Sequence, residues 1–154
     1  YRSHSFPTRR SSDLDRIDLA LAVDADGVHL GQDDLPTPVA RTLIGADRLL
    51  GRSTHTLEQV AQANREDCDY LGLGPVHSTA VKPDRAAIGA GLVGEATAAS
   101  QRPIFAIGGI NSSNLQQLTA VGCRRVAVIG AIMAANNPAT AAQDLLRTLS
   151  HSTF

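Results

Sequence analysis

Three short stretches of this chain combine residue types that could hold phosphate or a metal ion. In Gly27-Val28-His29-Leu30-Gly31-Gln32-Asp33-Asp34, two carboxylates follow an apolar run. A hard divalent cation shared with substrate phosphates takes one or two such oxygens. Asp34 would equally serve as the N-cap of a helix beginning near Pro36. In Gly74-Pro75-Val76-His77-Ser78-Thr79-Ala80-Val81-Lys82-Pro83-Asp84, hydroxyls and one ammonium lie just beyond another apolar run, where Lys82 could hold a phosphate oxygen. A solvated polar loop has the same composition. The pair Gly108-Gly109, followed by Asn111-Ser112-Ser113-Asn114, offers backbone N–H groups to an anion at the positive end of a helix, or else is a tight turn before a capped helix. Gly130, after Val128-Ile129, repeats the glycine at a strand tip. Ser53 is either a hydroxyl donor to phosphate or a turn residue. His29 alternates with Val28 and Leu30, which favours a hydrogen-bonded structural histidine over a catalytic one.

The elements that would position these residues can be read from periodicity. Gly27 to Leu30, Arg48 to Gly51, Tyr70 to Leu73, Ile104 to Ile107 and Val126 to Ile129 read as strands buried on both faces. Asp15 to Ala22, Pro36 to Ile44, Leu57 to Arg65, Leu92 to Ser100, Ser113 to Ala120 and Pro138 to Leu149 read as helices. Thr56 and Gln59 fit a capping box, Asn137-Pro138 an N-cap with proline in the first helical position, and Gly122 a helix stop. A weak internal repeat, with helix exit, strand and terminal glycine, recurs at 24–31, 67–74 and 122–130.

Alternating strand and helix units build either an open doubly wound sheet or a closed barrel. The polar or Gly-rich loops after successive strands favour the barrel, where they converge on one face, whereas an open sheet brings together only those at its switch point. The fold class expected is therefore α/β, an incomplete (β/α)8 TIM barrel carrying about its last five to six units. A full barrel has eight strands and about 250 residues. Residues 1–14, YRSHSFPTRRSSDL, are Ser- and Arg-rich without periodicity, so the expected organisation is a non-native or disordered segment at 1–14 and a partial barrel domain at 15–150.

With 14 Lys+Arg against 15 Asp+Glu and a net charge of -1, no bulk field draws the chain to nucleic acid or to an anionic membrane, so any phosphate must be held locally. Its two cysteines have no metal or redox spacing, which makes a reducing cytoplasm the default. The longest apolar stretch, Val126 to Ala135, is about half a bilayer span. Exposed sheet edges make a homo-oligomer a further expectation.

Taken in order, GVHLGQDDLP, GRSTHT, GPVHSTAVKPD, AIGGI and VAVIGAI resemble the motifs of thiamine phosphate synthases in sequence and spacing, from Asp15 nearly to the C-terminus. The resemblance implies a transferase that joins a pyrimidine diphosphate to a thiazole phosphate in thiamine biosynthesis, with Mg²⁺ as cofactor. It implies Asp15 and Asp34 as metal ligands, and Ser53 and Lys82 as the groups on the diphosphate. It also implies Thr79, Ala80, Val81, Gly108, Gly109, Ile129 and Gly130 as the cradle of the thiazole phosphate. This sequence departs from the family at Leu14, where an Asn is usual, at Val81 (Thr) and at Gly130 (Ser), and it has no counterpart of the family's upstream basic segment. The expectation for the chain as written is therefore little activity. Two rivals remain: a thiazole tautomerase-like isomerase of the same fold, which Asp34 and Lys82 disfavour, and a non-catalytic phosphate-binding domain, which the departures favour.

Overall fold

The computed structural model describes residues 12–78 and 85–150. Its elements alternate along the chain: β1 Ser12–Leu14, α1 Ile17–Ala22, β2 Gly27–Leu30, α2 Thr37–Ile44, β3 Leu49–Thr54, α3 Leu57–Ala63, β4 Tyr70–Leu73, α4 Gly89–Ala99, β5 Ile104–Ile107, α5 Leu115–Ala120, β6 Val126–Ala127, α6 Gly130–Met133 and α7 Pro138–Ser150. The six strands form one sheet in the order β1-β2-β3-β4-β5-β6, and every neighbouring pair is parallel. An order that never reverses has no switch point, so the sheet has barrel topology rather than that of a doubly wound fold.

Register assigns side chains to two faces. Val28 pairs with Leu50, Leu71 with Ile104 and Leu73 with Ala106, and all of these are buried. They share one core with Ala20, Ala40, Val60, Val93, Ala96, Leu115 and Leu118 from the helices. On the other face His29 stands level with Gly51, Gly51 with Tyr70, Ser53 with Gly72, and Gly72 with Phe105. A β-carbon at Gly51 would lie 2.3 Å from both His29 Nδ1 and Tyr70 Cζ, so glycine there is what lets the two rings meet.

The helix ends behave as their chemistry requires. Asn137 Oδ1 accepts from Thr140 N at 3.1 Å ahead of Pro138. Gly122, at φ +88°, ends α5 in a Schellman arrangement: Cys123 N donates to Leu118 O and Gly122 N to Thr119 O. Thr56 Oγ1 accepts from Gln59 N at 3.3 Å, but the Gln59 amide oxygen closes the box on His55 N, at 2.7 Å, one residue earlier than the pattern implies. At the opposite end of the sheet Arg41, on α2, donates to Gly45 O, Arg48 O and Asp67 O and pairs with Asp69 at 2.7 Å. Asp69 in turn accepts from Leu50 N.

Several boundaries differ from the sequence expectation; α4, for instance, begins at Gly89, three residues before Leu92. Ser12–Leu14 pairs with Gly27–His29 as β1, so the sheet begins three residues inside the segment assigned to non-barrel sequence; residues 1–11 lie outside the described residues. β3 continues through polar Arg52, Ser53 and Thr54, and Thr54 satisfies its hydroxyl on Gly72 O at 3.0 Å. β6 stops at Ala127, and a four-residue helix, α6, follows at Gly130.

Candidate functional site

Parallel strands place the ends of β1 to β6 on one edge of the sheet, and every loop that carried candidate chemistry leaves from that edge. Asp15 follows β1 in a left-handed conformation, φ +66°, with its N–H on His29 O at 3.0 Å and its side chain exposed. Asp34 lies in the loop after the adjacent strand, β2. It does not cap α2, whose N-cap position is Pro36 without a side-chain cap bond. Its carboxylate turns back to accept from Gly31 N at 2.6 Å. The loop is also tied sideways to β3: the Gln32 amide donates to Ser53 O, and Arg52 Nη1 donates to Gly31 O at 2.7 Å. Gln32 and Arg52 were not singled out from sequence; the signal available was a charged residue within an apolar strand pattern.

Two carboxylates at neighbouring strand ends fit a hard cation that completes its shell with phosphate oxygens and water. Among the described residues no group of three or more His, Cys, Asp or Glu assembles into a fuller cage. Ser53 Oγ meets His29 Nε2 at 2.9 Å, and His29 Nδ1 meets Tyr70 Oη at 3.2 Å, with the His29 and Tyr70 rings tilted against each other. Burial, with Asp69 nearby, pushes the Tyr70 hydroxyl above its ordinary pKa, so it keeps its proton. A donating Tyr70 gives His29 a protonated Nε2, which leaves the Ser53 hydrogen free to point outward. His29 is thus a hydrogen-bonded histidine on the inner face, as its alternation indicates.

Gly108 and Gly109, at φ +101° and +64°, turn sharply after β5 and press against the loop after β4. A β-carbon at Gly108 would lie 2.6 Å from Pro75 Cα, and one at Gly109 2.8 Å from His77 Cβ. Val76 N and His77 N donate to Ile107 O and Gly108 O, which fixes the two loops together. Beyond the turn, Asn111 N donates to Asn114 Oδ1, Ser113 N to Asn111 Oδ1, and Leu115 N to Asn111 O. Those groups are spent within the loop, which leaves fewer N–H groups for an anion than the sequence suggests. Ile129 and Gly130 leave the neighbouring strand, both exposed. An open cleft of about 330 Å³, lined in part by Asn111, Ser112 and Ala131, adjoins these two loops. Thr79, Ala80, Val81 and Lys82 lie outside the described residues.

The family model for thiamine monophosphate synthase matches residues 14–132. The chain belongs to this family. A thiamine-phosphate synthase of Parasynechococcus marenigrum is 74% identical over 140 residues, and one from Synechococcus sp. strain CC9605 is 60% identical. Each match takes in 91% of this chain but 40% of the relative, so the chain spans about two fifths of the length of these thiamine-phosphate synthases. Among solved structures, a thiamine phosphate pyrophosphorylase from Pyrococcus furiosus superposes with a TM-score of 0.82 at 36% identity, covering 93% of this chain and 68% of that one. A 3-hexulose-6-phosphate synthase from Salmonella typhimurium shares the fold at 20% identity and a TM-score of 0.67. The thiamine monophosphate synthase family thus accounts for the ordered motifs and for the barrel topology together.

Proposed function

We propose that the complete protein is a thiamine phosphate synthase, a transferase that condenses a hydroxymethylpyrimidine diphosphate with a thiazole phosphate. The observation that carries this reading is the gathering of the carboxylate loop, Ser53 and the double-glycine turn on one edge of a parallel sheet. Asp15 and Asp34 would hold Mg²⁺, which when bound neutralises charge on the leaving diphosphate. Ser53 donates its outward hydrogen to a diphosphate oxygen, and Lys82 supplies a cation beside the same group. Negative charge collects on that group as the bond to the pyrimidine methylene breaks, and donors fixed in advance stabilise it without reorganising. The Gly108-Gly109 turn, Ile129-Gly130 and Thr79 to Val81 hold the thiazole phosphate through backbone N–H groups, so Val81 and Gly130, where the family has hydroxyls, retain that part of the contact.

No helix among the described residues is long and apolar enough to cross a membrane. The test is to express the complete gene product and assay it with both substrates and Mg²⁺. Thiamine phosphate formation that requires all three is the expected result. Tight pyrophosphate binding without turnover would replace the enzyme by a phosphate-binding domain.

A further inference from the structure

Arg52 is a charged residue within β3, and the alternation of the strand places it with Leu50 and Thr54 on the face opposite Gly51 and Ser53. All three are buried, Arg52 to 8% exposure. Taking a guanidinium out of water is costly unless its donors are met. Among the described residues no carboxylate forms an ion pair with it. Its Nη1 donates instead to Gly31 O at 2.7 Å and, more weakly, to Leu35 O at 3.4 Å. Gly31 opens the loop after β2, and Leu35 lies two residues short of α2, so one nitrogen bridges both ends of the segment that carries Asp34. The carboxylate closes the same segment from within, since Oδ2 accepts from Gly31 N at 2.6 Å. Gly31 is thus held on both sides, its carbonyl by Arg52 and its N–H by Asp34. Asp34 Oδ1 has no hydrogen-bond partner among the described residues.

We propose that Arg52 is a positioning residue for the acidic loop: by holding Gly31 and Leu35 from the helix side of the sheet, it fixes the Gly31 N–H that orients the Asp34 carboxylate before any cation is present. A loop set in advance spares an incoming cation the ordering of the chain. Arg52 touches neither metal nor substrate in this scheme; it acts through Gly31 and Leu35. The link to Mg²⁺ rests on the synthase reading, whereas the hold on the loop does not.

Amide hydrogen exchange in the complete gene product, without metal, tests the hold directly. Arg52→Met fills the space without a donor and should speed exchange of the Gly31 amide about tenfold, the worth of one hydrogen bond to a charged group. The Leu71 amide, bonded to Pro103 O, should exchange as before. Acceleration of both alike, or of neither, would overturn the proposal. Arg52→Lys keeps the buried charge but replaces the fork by a point donor; the same local acceleration is expected of it, and it decides the matter where the Met variant does not fold. Calorimetric titration with Mg²⁺ alone tests the link to the metal. Affinity should be about tenfold weaker in Arg52→Met, as when a group that orients a ligand is lost. Removal of a nearby positive charge by itself would tighten Mg²⁺ binding, so tighter or unchanged binding would sink the idea. Absence of Mg²⁺ binding and of thiamine phosphate formation in the unaltered protein would refute the synthase reading, while exchange at Gly31 would still decide the hold on the loop.

Discussion

Ser53 can serve a phosphate only if its hydrogen is not already committed to His29, and Tyr70 decides this from two bonds away. The Tyr70 hydroxyl keeps its proton, and in the tautomer in which it donates to Nδ1, Nε2–H of His29 donates to Ser53. Tyr70→Phe removes the residue that sets the tautomer, and kcat of the complete enzyme should fall ~5-fold, about the worth of one neutral hydrogen bond, with a normal circular dichroism spectrum. An unchanged kcat would mean that His29 sets its own tautomer. Lys82→Ala should depress synthesis by about 10²- to 10³-fold, as loss of a charge-stabilising group does, while thiazole phosphate affinity changes little; equal losses would move Lys82 to the thiazole side. The two thiols serve a different purpose. Cys68 and Cys123 are buried, and burial pushes both above the ordinary 9.0. The unfolded chain therefore sheds these protons first as pH rises, so the stability they contribute is whole below pH 9.0 and is lost toward the higher folded values. The Tm should decline above pH 9, and Cys68→Ala with Cys123→Ala should flatten that decline. A slope identical in the double variant would show that other groups govern it.

At the scale of elements, the site depends on strands that stay in register. Gly51 is the tightest point, because any β-carbon there enters the His29 and Tyr70 rings, so Gly51→Ala should cost about 1–3 kcal/mol in denaturant unfolding and separate Ser53 from His29. Arg41 stitches α2 to the starts of β3 and β4 with a guanidinium whose side chain is 13% exposed. Arg41→Ala leaves Asp69 and several carbonyls short of a donor and should cost about 1.5–3 kcal/mol; a loss below 0.5, the ordinary surface range, would show that water replaces it. The strands readable in advance were those whose burial on two faces left an apolar run, such as Tyr70 to Leu73. β1 was not readable, because three residues in a Ser- and Arg-rich context carry no period and owe their conformation to pairing with β2. The far half of β3 was hidden for another reason: Arg52 and Thr54 are polar, and their place in a strand is secured by Gly31 O and Gly72 O, acceptors distant in sequence. The acidic loop could be picked out from sequence as a candidate for metal chemistry, but its fastening by Gln32 and Arg52 could not, since no spacing rule links a strand residue to a carbonyl two loops away.

At the scale of the whole molecule, the sheet has two edges among the described residues, β1 and β6, and neither is paired with the other. A parallel sheet of barrel order buries its inner face only when the circle closes, and here Ile107, Ile129 and Met133 are exposed at 41%, 65% and 77%. Unpaired strand edges beside exposed apolar groups favour association with another chain. The 154-residue chain alone should therefore elute as a dimer or larger species, and light scattering at tens of micromolar (about the range where weak association shows) would contradict this if it found a stable monomer. The same geometry bears differently on the two proposed substrates. The loops proposed for the thiazole phosphate, at Gly108-Gly109 and Ile129-Gly130, leave adjacent paired strands. In the proposed scheme the diphosphate depends instead on Asp15, beside the open edge at β1, and on the upstream basic segment that the family resemblance implies. Calorimetric titration of this chain in Mg²⁺ should show thiazole phosphate binding retained and pyrimidine diphosphate binding weakened by about tenfold or more relative to the complete gene product, the cost of one lost charge-assisted contact. Thiamine phosphate synthesis by the chain alone should be correspondingly slight. Equal affinity for both substrates, with efficient turnover, would show that the edge at β1 needs no further cover and that the diphosphate is held entirely by residues present here.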